Sequence, residues 1–98
     1  MRILAIEKPG LDIREDQFIP FLKAEAVKAW ELYQAGVFRE LYFRADRKEA
    51  VLLMECSTLE EAENALASLP LVEAGLISFD VIPLVPYPGF RRLFEPEE

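Results

Sequence analysis

The stretch Val37–Cys56, "VFRELYFRADRKEAVLLMEC", decides the fold. Two runs rich in Val, Leu, Phe and Tyr flank Asp46-Arg47-Lys48. That pattern predicts two β-strands, over residues 37–45 and 49–56, joined by a tight turn. Arg39, Glu40, Arg44 and Glu55 lie inside those strands. Charges there have two readings: a polar pocket that does chemistry, or the guard on an exposed sheet edge.

Working outward, Gly36 precedes the hairpin and is expected to end a helix as a left-handed cap. That helix is predicted over residues 14–35, because Phe18, Leu22, Ala26, Ala29 and Tyr33 recur at helical spacing. Phe21, Trp30 and Leu32 widen the stripe, Asp12 or Asp16 is expected to cap the start, and Pro20 falls in the first turns. Before it, "RILAIEK" (residues 2–8) reads as a strand stopped by Pro9-Gly10. After the hairpin, Ser57-Thr58 followed by Glu60-Glu61 reads as a capped helix start. That helix is expected to stop at Pro70. A last strand is predicted over residues 76–85, and a tail from Pro86 carries "YPGFRRLF".

The order β-α-β-β-α-β predicts one α+β domain over residues 1–98, with the ferredoxin-like arrangement and residues 86–98 as a C-terminal arm. Right-handed crossovers give a four-stranded antiparallel sheet in the order 4-1-3-2, with both helices on one face. Strand four is then an edge, which suits Pro83 and Pro86. Strands three and four are apolar on both faces: Val51 and Leu53 against Ala50, Leu52 and Met54; Phe79 and Val81 against Ile82 and Leu84. Helices cover one face only, so the other is expected to pack on the sheet of a second copy, as a dimeric α+β barrel.

Composition narrows the functional classes. The net charge of −7 lacks the basic field that nucleic acid or an anionic membrane requires. One cysteine and no histidine leave no expected metal site for zinc, copper or iron. No leader and no run near the roughly 20 apolar residues of a membrane span are read in the chain, so a cytoplasmic protein is expected.

The segments "FRELY", "AVLLMEC" and "SLPLVEAGLISFDVIPLVPYPG" resemble the second, third and last strands of the muconolactone isomerase family. The resemblance covers nearly the whole chain and is clearest over residues 36–89. It implies a dimeric α/β barrel, assembled from self-associating copies, that moves a proton on a lactone without metal or organic cofactor. It also implies relatives that are cofactor-free monooxygenases. Arg39 matches the family's strand-two arginine and Tyr42 an aromatic, whereas Glu40 stands where the family has histidine.

Opposed charges across a hairpin stabilise it by roughly 0.2–1 kcal/mol and like charges destabilise it. A register centred on Arg47 sets Arg39 against Glu55; the neighbouring register sets Glu40 against Glu55. The first is therefore expected. With the third strand read as parallel to the first, Glu7 lies at the same end. Arg39, Glu55 and Glu7 are thus the candidate proton-transfer residues: Arg39 to hold an oxygen, a glutamate to carry the proton. Tyr42, Trp30, Tyr33 and Phe18 are the candidate walls of a ligand pocket. The expected activity is cofactor-independent proton transfer on a small, mostly apolar carbonyl or lactone. The alternatives are a cofactor-free monooxygenase acting on an aromatic ligand and a non-catalytic binding module. The bland reading of the same charges is edge protection, with a cross-strand ion pair.

Overall fold

The computed structural model describes residues 1–96, so the last two residues of the expected arm lie outside the described residues. Strand β1 (Arg2–Pro9) leads to a 3₁₀ segment (Glu15–Phe21) and helix α1 (Leu22–Gln34). Strands β2 (Phe38–Phe43) and β3 (Ala50–Glu55) form the hairpin. Helix α2 (Leu59–Ala67), a short α3 (Pro70–Glu73) and strand β4 (Ile77–Leu84) follow, and a second 3₁₀ segment (Gly89–Phe94) is the last element among the described residues.

The strands lie in the order β2-β3-β1-β4 with every neighbour antiparallel, the ferredoxin-like order expected. One expectation is corrected: β3 runs antiparallel to β1, pairing Arg2 with Glu55 and Ile6 with Val51. The topology demands it. The crossover makes β2 parallel to β1, and a hairpin must then return β3 the other way.

Local chemistry explains the boundaries. Thr58 caps α2 by accepting from the Glu61 backbone N–H at 3.1 Å. Gly36 (φ 78°) and Gly75 (φ 76°) end their helices in the left-handed region that a side chain disfavours. The first helix begins later than the stripe suggests. Pro20 lacks a backbone N–H, and the chain is 3₁₀ until Phe21. Neither Asp12 nor Asp16 caps it; Asp16 accepts from the Arg14 side chain instead. Pro70 stops α2 and also starts α3 from its first position.

Alternation along the sheet separates two faces. Ile3, Ala5, Leu52, Met54 and Phe38 are buried beneath Ala62, Leu66 and Leu69. A satellite cluster joins Leu71, Leu76 and Ile77 to Ile13, Phe18 and Phe21. The opposite face carries Leu4, Ile6, Val51, Leu53, Ile82 and Leu84 by register, without a helix over it. The radius of gyration, 16.7 Å, exceeds the about 13 Å of a compact domain of this length. Val85, Tyr87, Phe90, Leu93 and Phe94 account for the excess, standing exposed along the C-terminal segment. No helix among the described residues is long and apolar enough to cross a membrane.

Phe38, 1% exposed, is among the largest fully buried side chains and stands opposite Met54. Phe38→Ala should cost about 3–5 kcal/mol of stability in urea denaturation. Leu11→Ala, at a position 93% exposed, should stay within about 0.5 kcal/mol of the parent. Equal midpoints for the two variants would contradict this placement of the core.

Candidate functional site

Helix α1 buries none of its residues fully. It stands off the sheet, and a cavity of about 1130 Å³ opens beneath it. The sheet supplies a floor that includes Phe38, Leu41, Leu52 and Phe79. Phe18, Leu22, Ala26 and Ala29 supply the roof. Charged side chains interrupt this apolar lining: Arg14, Glu15, Asp16, Lys48 and Glu49, and two carboxyl groups anchored by backbone N–H groups, Glu7 from the floor and Glu25 from the roof.

The fold puts each there by its own periodicity. Ile3, Ala5 and Glu7 alternate along β1 toward the helical layer, so Glu7 ends up 8% exposed. Glu25 follows Leu22 by three residues and precedes Ala29 by four, on the same helix face.

Both carboxyl groups are anchored. The β1–β3 ladder ends at Ile6–Val51, and the Ala50 backbone N–H just beyond it donates to Glu7 Oε1 at 2.9 Å. The Leu71 N–H, an unpaired donor in the first turn of α3, donates to Glu25 Oε1 at 2.9 Å. Burial pushes the Glu7 pKa above the ordinary carboxylate value; the Ala50 hydrogen bond opposes this and the charge of Glu49 adds to it. Burial likewise raises Glu25, against the Leu71 hydrogen bond, and the charge of Glu7 raises it further. Both carboxyl groups are thus biased toward the protonated form within one largely apolar cavity.

The expected trio of Arg39, Glu55 and Glu7 is not one cluster. The hairpin pairs Leu41 with Leu52 and Tyr42 with Val51, so neither register considered from the charges is adopted. A bulge between Phe38 and Glu40 leaves Arg39 without an opposite residue, exposed at the end of α1, where its guanidinium lies beside Gly36. A cation is favourable at that helix terminus. Glu55 instead accepts from the Met1 amine at 2.6 Å and pairs with Arg2 at 3.3 Å. The hydrogen bond from the amine holds the Glu55 carboxyl below its ordinary range; desolvation opposes this, and the charges of the amine, Arg2 and Arg39 add to the lowering. Because β3 is antiparallel to β1, Glu7 lies at the other end of the strand and on the other face.

Of the four expected pocket walls, Phe18 and Tyr42 line the cavity. Tyr42 reaches it from the edge strand and donates its hydroxyl hydrogen to Glu40. Trp30 (57% exposed) and Tyr33 (47% exposed) stack on each other, 5.7 Å between ring centroids, away from it. Among the other charges, Arg44 pairs with Asp46 and Glu49 at the turn, and Asp80 with Lys8. Glu25 was not singled out from the sequence. Its signal was available: a lone acidic residue inside the apolar stripe of an amphipathic helix.

No protein-family model matches the chain, and no curated protein matches it. Among solved structures, the 3.3 Å crystal structure of muconolactone isomerase superposes with a TM-score of 0.73 at 20% identity, covering 91% of this chain and 93% of that one. A 5-chloro-2-hydroxyhydroquinone dehydrochlorinase from Burkholderia phenoliruptrix AC1100, solved in complex with 2,5-dihydroxybenzoquinone, superposes with a TM-score of 0.68 at 16% identity. That match covers 87% of this chain and 94% of the other. The chain therefore has the muconolactone isomerase fold over nearly its whole length.

The raised pKa values carry a sign that stability measurements can read. A carboxyl whose folded pKa lies above its unfolded value contributes fully below the unfolded value, near 4.5. That contribution is lost as pH rises through the folded pKa. Glu7→Gln and Glu25→Gln keep the anchored oxygen and remove the titration. The Tm of each variant relative to the parent should therefore climb as pH increases from about 4.5 toward neutrality. A difference that stays constant with pH would show that neither carboxyl is desolvated as described.

Proposed function

We propose that the chain is a small-molecule enzyme that transfers a proton without a cofactor, acting on a carbonyl or lactone compound held between α1 and the sheet. One observation carries the reading: Glu7 and Glu25 are both desolvated, both anchored by a backbone N–H, and both face the same apolar cavity. Carboxyl groups shifted by burial and lining one cleft are the groups from which an acid–base site is built. The two solved relatives of this fold, an isomerase and a dehydrochlorinase, support a small-molecule enzyme.

The chemistry balances within the pair. One glutamate, ionised, takes the proton from a carbon next to the carbonyl; that C–H electron pair becomes a C=C bond and the carbonyl π pair moves to oxygen, giving a conjugated enolate. The other, protonated, returns a proton to a carbon further along the conjugated system. The double bond has moved, no electron has been gained or lost, and the two carboxyl groups have exchanged protonation states. Raised pKa values suit both halves, because a base and an acid work best with pKa values near the operating pH.

Screening unsaturated lactones and enolisable cyclic ketones in D₂O should reveal deuterium wash-in by NMR for at least one compound. Glu7→Gln or Glu25→Gln should slow that exchange by about 10²- to 10⁴-fold. Full exchange in both variants would reject the assignment, and no exchange across the panel would reject the reaction class.

The assembly belongs to the same reading. The uncovered sheet face carries Leu4, Ile6, Val51, Leu53, Ile82 and Leu84, with Glu40 and Asp80 on its two edge strands. Pairing it with the same face of a second copy removes that surface from water, and the exposed C-terminal segment grips the partner. Light scattering at micromolar concentration should give a multiple of the 11.2 kDa chain mass. Deleting residues 88–98 should shift the population toward smaller species. A parent chain that stays monomeric would overturn the pairing.

A further inference from the structure

We propose that the cavity selects its ligand by charge: it takes an uncharged, flat, hydroxylated compound and rejects carboxylates and other anions. This rests on the reading of the cavity as the reactive site, and adds the chemical class of what enters.

The argument begins with where the charges are. Glu7 and Glu25 are the carboxyl groups anchored in the cavity, each through Oε1 alone. Among the described residues no buried side-chain oxygen lacks a partner. Glu7 Oε2 accepts no hydrogen bond from the protein, so it must be open to the cavity, the only space its 8% exposure leaves it. Glu25 Oε2 is free in the same way.

The lining holds two cations against five acidic side chains, and both cations sit at its exposed rim. Arg14 is exposed and committed to Asp16 at 3.1 Å. Lys48 is exposed on the hairpin turn, 5.9 Å above the Phe43 ring. Glu49 is already matched by Arg47 at 3.1 Å. A bound anion would thus meet a lining in which five acidic side chains outnumber two basic ones, while losing its hydration.

An uncharged hydroxyl meets the opposite situation. It can donate to an ionised carboxylate and accept from a protonated carboxyl, so one functional group matches both states of the pair. Around the two oxygens the walls are rings and branched chains, Phe18, Phe38, Phe79 and Leu41 among them, which suits the faces of a flat ring.

Three probes of one skeleton separate charge from bulk: hydroquinone, 2,5-dihydroxybenzoate, and the methyl ester of that acid. Calorimetric titration of the parent protein at pH 7 should show hydroquinone and the ester binding within about threefold of each other. The acid should bind at least about tenfold more weakly, the equivalent of about 1.4 kcal/mol. In the Glu7→Gln, Glu25→Gln double variant, the acid and the ester should converge. An acid that binds the parent as well as the ester overturns charge selection and leaves the cavity as a ligand site. An ester as weak as the acid shows that bulk decides, and also overturns it. Failure of all three probes to bind the parent removes the cavity reading itself, together with this proposal. The acid–ester comparison in the parent stands even if the double variant does not fold.

Discussion

β1 lies between β3 and β4, so its backbone is committed to ladders on both sides. The faces of its side chains are therefore not negotiable: Ile3, Ala5 and Glu7 point into the helical layer, and a slip of one residue would expose Ile3 and bury Arg2. Hydrophobic burial at Ile3 and Ala5 thus carries Glu7 into an apolar space that a carboxylate would not enter alone. The fold offsets that cost in two ways. The Ala50 N–H satisfies one oxygen, and the raised pKa keeps the group toward its neutral form. The helical layer repeats the device, since Glu25 caps the otherwise unpaired Leu71 N–H from the apolar side of α1.

Much of the architecture was legible in the residues. Alternation in "RILAIEK" and "AVLLMEC", the stripe on α1, Gly36 and the prolines of β4 were enough for the strand order and the side on which the helices lie. The hairpin register was not. Charge pairing across a strand is worth under about 1 kcal/mol, whereas seating Phe38 against Met54 in the core is worth several. Packing won, and the bulge at Arg39 absorbed the mismatch. The reading that β3 parallels β1 failed against the topology that the same sequence implies. That single error moved Glu7 from the far end of the strand to the side of Glu55.

The two kinds of glutamate show why residue type alone could not rank the candidates. Glu55 sits at an open corner beside an amine and Arg2, so its charged form is favoured. Glu7 and Glu25 have backbone donors but no cation within their cavity's interior, so burial prevails. From sequence, Glu55 and Glu7 stood as equal candidates to carry the proton, with Arg39 expected opposite Glu55. Paired with cations in solvent, a carboxylate is a poor proton carrier at neutral pH, because it hardly binds the proton at all. A glutamate in an apolar stripe, which resembles a fault in the amphipathic pattern, is the more informative signal.

The separation of roof and floor also matters to the chemistry. Glu7 is fixed by the sheet, through β3, and Glu25 by the contact of α1 with α3. Neither carboxyl group depends on the other for its position, although each feels the other's charge through the cavity. Moving a proton off one raises the cost of ionising its neighbour, so the pair resists carrying two negative charges at once. The empty space under α1, which a tighter helix would have filled with leucine, is thus what leaves the two anchored carboxyl groups facing one cavity.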